Sequence, residues 1–210
     1  MHTEALPATS GELLATLTSR GANEFRGWVL AGGTGLALQL GHRISADFDF
    51  FRTHGLNTEA LFERLSEVAA CDTLYSDERA LSVLLDGVKL SFFQVREPFL
   101  FAGTPYTFFE VADLRDIALM KLLAVTNRGS RKDFVDLFAI LQTAPTLCDY
   151  LQLLPRKYGP GRLNPYQAAM SLTYFADAEG EPMPYMLAPF EWEECKAFFV
   201  REVRDLVLPR

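Results

Sequence analysis

Cys71, Cys148 and Cys195 are the only three cysteines in this chain of 210 residues, an odd number spread far apart. That pattern excludes a disulfide framework and speaks against a zinc site. No apolar run approaches the roughly 20 residues a membrane helix needs, so no membrane partner is expected. The opening Met1-His2-Thr3-Glu4 lacks the basic leader and apolar stretch of a secretory signal. A reducing, cytoplasmic setting follows as the expectation. Positive charge is also short: 20 Lys and Arg face 27 Asp and Glu, for a net charge of −7. A protein that grips a long stretch of nucleic acid usually shows a basic face. Any such contact here has to be local. His42-Arg43, the stretch 128–132, and Arg156-Lys157 with Arg162 are the candidate patches, and each reads equally well as a solvated loop. There is no internal repeat and no low-complexity tract.

Hydrophobic residues make up 49% of the chain, and 17 of them are Phe, enough for a sizeable aromatic core. The length suits one large domain or two small ones. The first half alternates helical and strand patterns. Helices are expected over 12–18, 34–40 and 58–70, and strands over 28–31, 48–51, 73–76, 80–85, 88–95 and 106–111. Asp86-Gly87 is a good two-residue hairpin turn. Past Ala112 the patterns become helical: 113–126, 130–142, 147–157, 165–175 and a closing helix over 191–208. The proline-rich stretch 177–189 reads as an extended linker. The fold class is therefore α+β, with a mixed α/β domain over 1–112 and a helical domain over 113–210.

Several short runs carry chemistry. Gly32-Gly33-Thr34 follows a strand and opens a helix. A helix N-terminus offers free N–H groups and partial positive charge, and glycine lets a phosphate approach the backbone. The Thr34 hydroxyl offers one more hydrogen bond. The plainer reading is a tight turn without a ligand. Asp47 and Asp49 stand two apart, so on a strand they project to one face while Phe48 and Phe50 enter the core. Two such carboxylates repel unless a cation lies between them, and magnesium favours carboxylates completed by phosphate oxygens and water. Lys121 lies in an almost wholly apolar helical segment, where it must snorkel, pair with an acid or meet an anionic ligand. Asp133 and Asp136 are helix-surface neighbours. Asp133 has a structural explanation as the N3 residue of a capping box begun by Ser130. Asp136 has none, and ranks above it for function.

Taken in order, Gly32-Gly33-Thr34, Gly41-His42-Arg43, Asp47-Phe48-Asp49-Phe50-Phe51, Lys121 and Arg128-Gly129-Ser130-Arg131-Lys132-Asp133-Phe134-Val135-Asp136-Leu137 resemble the AbiEii/AbiGii nucleotidyltransferase-like toxins of the DNA polymerase beta-type superfamily. The resemblance is close over 25–142. It implies a nucleotidyltransferase-type mixed sheet with flanking helices and a helical region that completes an active-site cleft. It implies magnesium-dependent transfer of a nucleotidyl group from a nucleoside triphosphate to a hydroxyl of RNA, notably the tRNA 3′ end, or of protein, and an antitoxin partner. Carried over by residue, Gly32, Gly33 and Thr34 cradle phosphate, Asp47 and Asp49 hold magnesium, and Lys121 meets the triphosphate. Asp136 completes the distal motif, with Arg131 and Asp133 beside it as nucleotide-binding residues. The chain departs from the superfamily in one place. A third metal carboxylate usually stands on a later strand, and by alternation its position here is Ser91, so either the chain works with two carboxylates plus the distal Asp136, or its activity is reduced, or it is a binding module that keeps the fold.

Overall fold

The computed structural model describes residues 1–20, 25–143 and 145–206. The chain divides into two compact units, Met1–Asp113 and Leu114–Arg210.

The first unit begins with a 3-10 turn at Thr3–Ala5 and helix α1 (Ala8–Ser19). Strand β1 (Val29–Ala31) runs directly into helix α2 (Gly32–Leu40), which closes at the left-handed Gly41. Strand β2 (Phe48–Arg52) and helix α3 (Thr58–Val68) follow. Asn57 caps α3 by accepting the Ala60 N–H at 3.0 Å. Then come β3 (Cys71–Ser76), β4 (Ala80–Leu85), β5 (Val88–Gln94), β6 (Thr104–Tyr106) and β7 (Phe109–Val111). All seven strands form one sheet in the order β3-β4-β5-β2-β1-β7-β6. Strand β2 lies at its centre, antiparallel to β1 and parallel to β5.

Alternation along β2 explains the burial. Phe48 and Phe50 are 3% and 1% exposed and face the core, while Asp49 between them faces the other way. The Phe50 ring stacks on Phe92 of β5 at 5.3 Å, and Phe92 meets the rings of Phe25 and Trp28 at 5.6 and 5.2 Å. Such aromatic pairs add to area burial when they meet stacked or edge-on. Asp86 and Gly87 both take positive φ, as a type I′ hairpin turn requires.

The second unit holds helices α4 (Leu114–Arg128), α5 (Arg131–Leu141), α6 (Leu147–Tyr158), α7 (Pro165–Ser171), α8 (Ala176–Glu179) and α9 (Trp192–Arg204). Thr146 and Asp149 form a reciprocal capping box at the start of α6. Phe134 of α5 sits amid Phe175, Trp192 and Phe199, with ring centroids 5.1, 6.0 and 5.7 Å away.

Four element readings of the sequence need correcting. The single strand expected over 106–111 is the tip of a hairpin, β6–β7, because Thr107 turns the chain with φ 51°. The helix expected over 165–175 stops at Ser171, and the supposed linker begins inside the one-turn helix α8. The closing helix ends at Arg204, and residues 207–208 of its expected span lie outside the described residues.

Phe92 is fully buried and touches three other aromatic rings of the core. Phe92→Ala is expected to cost about 3–5 kcal/mol of stability. The drop is read as a lower midpoint in urea unfolding; an unchanged midpoint would mean that this ring cluster does not hold the sheet together.

Candidate functional site

In the first unit the site grows from the point where β1 becomes α2. Gly32 takes φ +64°, a left-handed conformation that L side chains rarely adopt. A Cβ placed on it would lie 2.9 Å from Asp49 Oδ2. Both features demand glycine, and together they let the Asp49 carboxylate come up against the first residue of a helix. Ala31 and Asp49 are directly paired across β1 and β2. Register thus sets this approach. At Gly33 a Cβ would lie 2.5 Å from Arg43 Nη2 and 3.0 Å from Ser45 Oγ. The helix start is therefore packed between a carboxylate at one glycine and a guanidinium at the next.

Asp47 is exposed and immediately precedes β2. Its backbone carbonyl accepts a hydrogen bond from the Thr34 hydroxyl. That hydroxyl is also 2.9 Å from Ser45 Oγ, and Thr34 is 1% exposed. Thr34 was expected to turn its hydroxyl to a phosphate. Instead the hydroxyl fastens α2 to the chain entering β2 and sets where Asp47 stands.

The parallel pairing of β2 with β5 puts Ser91 beside Asp49, and Ser82 of β4 pairs with Ser91 in turn. In-register partners share a face of the sheet. Across four strands this face therefore reads Ala31, Asp49, Ser91, Ser82. Ser91 is 2% exposed, and its hydroxyl lies 3.1 Å from that of Ser82. The place of a third carboxylate is taken by a serine that is itself hydrogen-bonded. Among the described residues no group of three His, Cys, Asp or Glu side chains is arranged to hold a metal.

In the second unit Lys121 of α4 is buried with two acids of α5. Its Nζ lies 2.9 Å from Asp133 Oδ1 and 2.6 Å from Asp136 Oδ2, and both acids are fully buried. Of the readings open for Lys121, the structure therefore has it paired with acids. Asp133 does not act as the capping-box partner expected of it, because Ser130 makes no side-chain cap. Its carboxylate instead accepts from Lys121, from Arg128 Nε at 2.7 Å and Nη2 at 2.9 Å, and from the Ser130 hydroxyl at 3.1 Å. The Arg128 contact is a two-pronged fork, the strong geometry for this pair.

Burial opposes the charge on Lys121, but the neighbouring Asp136 and Asp133 outweigh it and raise its pKa. Burial likewise works against the Asp133 carboxylate, yet the Arg128 hydrogen bond and the Lys121 charge hold it below the usual carboxylate range.

Arg131, expected to bind nucleotide, has its guanidinium engaged within the second unit. Its guanidinium donates to the carbonyls of Ala178 and Glu179, both at 2.9 Å, and lies 4.9 Å from the Trp192 ring centroid. It ties α8 and α9 to α5. One basic patch proves to be interior, with His42 and Arg43 6% and 5% exposed, and another loses its lysine, since Lys157 is buried with Asp116 at 2.7 Å while Arg156 and Arg162 stay exposed. Arg43 and Ser45 at the Gly33 turn, and Arg128 at Asp133, are the residues the sequence reading had not placed in the site. The Arg43 side chain lies four residues before Asp47 and follows a helix-ending glycine, a position that reads as loop until the turn is seen packed.

A match to the nucleotidyl transferase AbiEii toxin of type IV toxin–antitoxin systems spans residues 17–78, which include the Gly32 turn and both β2 aspartates. The chain belongs to this family. An uncharacterized protein of Aquifex aeolicus is 35% identical over 201 residues, covering 92% of this chain and 94% of that protein. Among solved structures, the fold is similar to that of the MenT4 nucleotidyltransferase toxin of Mycobacterium tuberculosis (TM-score 0.60, 15% identity, 98% of this chain and 88% of that one). It is also similar to JHP933 of Helicobacter pylori (TM-score 0.53, 15% identity, 93% and 89%). The expected nucleotidyltransferase fold is thus the observed one. No helix among the described residues is long and apolar enough to cross a membrane.

The buried cluster of α4 and α5 gives a pH signature. Asp133 has a lowered folded pKa, so its contribution is present above the unfolded carboxylate value and is lost as pH falls through the folded one. Lys121→Met leaves Asp133 and Asp136 without its charge and is expected to cost about 3–5 kcal/mol near neutral pH. The deficit should shrink as pH falls below the unfolded carboxylate value toward the lowered folded value of Asp133. Urea unfolding of both proteins between about pH 7 and pH 3 checks this, and a gap that does not change with pH would contradict it.

Proposed function

We propose that the protein is a magnesium-dependent nucleotidyltransferase acting as the toxin of a toxin–antitoxin pair. A hydroxyl of an RNA, with the tRNA 3′ end the first candidate, or of a protein attacks the α-phosphorus of a bound nucleoside triphosphate. The bond from the α-phosphorus to the β-bridging oxygen breaks and pyrophosphate leaves. The observation that carries this reading is the approach of the Asp49 carboxylate to Gly32 at the start of α2.

Each residue's part follows from its chemistry. The N–H groups of the first turn of α2 have no partner within the helix and meet phosphate oxygens. Asp47 and Asp49 are the residues that would hold magnesium, which when bound would supply charge neutralisation at the phosphates and favour the ionised form of the attacking hydroxyl. Arg43 brings a permanent positive charge to the same turn. Lys121 has three N–H donors, two of them directed to Asp133 and Asp136. Asp136 and Asp133 keep that ammonium charged and oriented. Positioning and electrostatics supply most of the rate in phosphoryl chemistry, so small displacements of these groups matter.

Ser91 favours a second reading, a module that binds the triphosphate and turns it over slowly or not at all. Its register beside Asp49 removes one metal ligand. The two readings part in a transfer assay with α-labelled triphosphates, magnesium and total RNA or protein. The first expects label in acceptor, at least about 100-fold less with Asp49→Asn, and none with chelator. Wild type that binds triphosphate with magnesium but labels nothing would support the second, and equal labelling by wild type and Asp49→Asn would refute both.

A further inference from the structure

The second unit holds a cavity of about 380 Å³ that none of the chemistry above uses. Asn127 and Arg128 at the end of α4, Gln167 and Met170 on α7, and Tyr174 and Asp177 after it lie in its wall. Tyr174 is 60% exposed, Met170 48% and Tyr166 67%. Tyr166 and Met170 are four apart on α7, and the chain keeps turning to Tyr174, whose N–H donates to the Ser171 carbonyl. Tyr166 and Met170 stand about one helical turn apart, and Tyr174 follows in the turn that ends α7. Large apolar side chains left in water in a row forgo burial that a partner can restore. The guanidinium of Arg128 is fixed in plane by its two bonds to Asp133 while its side chain remains 60% exposed. A planar cation, a planar phenol and two carboxamides around one cavity are the groups that stack on a nucleobase and read its edge.

Charge distribution points the same way. Residues 1–113 contain 15 acidic and 8 basic side chains, so the whole net charge of −7 lies in the first unit, whereas the second is balanced at 12 of each. A polyanion is repelled less by the second unit. A free nucleotide needs one stacking surface. The row from Tyr174 to Tyr166 extends past the cavity and offers successive surfaces, which suits a strand.

We infer that this cavity and the Tyr166–Met170–Tyr174 row bind unpaired bases of a single-stranded nucleic acid. One base enters the cavity, its face on Tyr174 and its edge against Asn127 and Gln167, and the next bases stack outward along α7. The inference rests on the reading of the protein as a nucleotidyltransferase with a nucleic-acid acceptor, and it assigns that acceptor a place.

The test uses the full chain and a fluorescein-labelled single-stranded RNA of about ten mixed nucleotides, followed by anisotropy. Tyr174→Ala is expected to weaken RNA binding about tenfold and Tyr174→Phe to leave it near wild type, because stacking needs the ring and not the hydroxyl. Binding of each nucleoside triphosphate with magnesium should be the same in all three proteins. Wild type that does not bind the RNA, or Tyr174→Ala that binds it equally well, overturns the inference. So does Tyr174→Ala that weakens triphosphate alone, which makes this the triphosphate's own base pocket. Tyr174→Ala that releases a co-purifying protein and leaves RNA binding intact overturns it in favour of a protein-docking face. If Tyr174 governs RNA binding but wild type transfers no label, the site stands and the catalytic reading fails. If label is transferred equally by wild type and Tyr174→Ala, the reverse holds.

Discussion

The contact between the Asp49 carboxylate and the start of α2 sets what the first unit has to achieve. A half-buried carboxylate in the middle of a sheet costs free energy unless something compensates it. Here the compensation is the positive end of a helix, approached through a residue with no side chain. Much of the surrounding structure serves that approach. The pairing of Ala31 with Asp49 fixes the register, the Thr34 hydroxyl ties α2 to the carbonyl of Asp47, and the phenylalanines on the opposite face of β2 anchor the strand in the core. A one-residue slip of β2 would exchange Asp49 with a phenylalanine, so the aromatic core and the acidic site enforce the same register.

The second unit solves a different electrostatic problem. It buries a lysine and two aspartates, an arrangement that is strongly destabilised if one member is lost. Arg128 and Ser130 complete the shell around Asp133, so the α4–α5 junction is held by directed hydrogen bonds more than by capping. Such a cluster fixes the Lys121 ammonium within narrow limits.

How far the chain could be read depended on the range of the interactions. The alternation of Phe48, Asp49 and Phe50 announced both the strand and its two faces, and the same period counted along β5 puts Ser91 on the Asp49 face. Asp86-Gly87 announced its hairpin through local turn chemistry. The hairpin at Thr107 carried no such signal, because a threonine with positive φ is held by its surroundings. Burial of charge was the least legible property. Arg131 reads as a free cation until the carbonyls of Ala178 and Glu179, nearly fifty residues on, are seen to occupy it. Lys157 reads as part of an exposed basic patch until Asp116, 41 residues earlier, meets it. Arg43 was hidden for another reason, since its packing against Gly33 depends on a missing side chain.

The account turns on whether the geometry at Gly32 builds a metal–triphosphate site, and calorimetric titration tests that most directly. Wild type is expected to bind at least one nucleoside triphosphate, and only with magnesium present. Gly32→Ala, checked for folding by circular dichroism, places a methyl where the Asp49 carboxylate stands and is expected to lose that magnesium-dependent binding. A folded Gly32→Ala protein that binds triphosphate with the same affinity and the same magnesium dependence as wild type would contradict it.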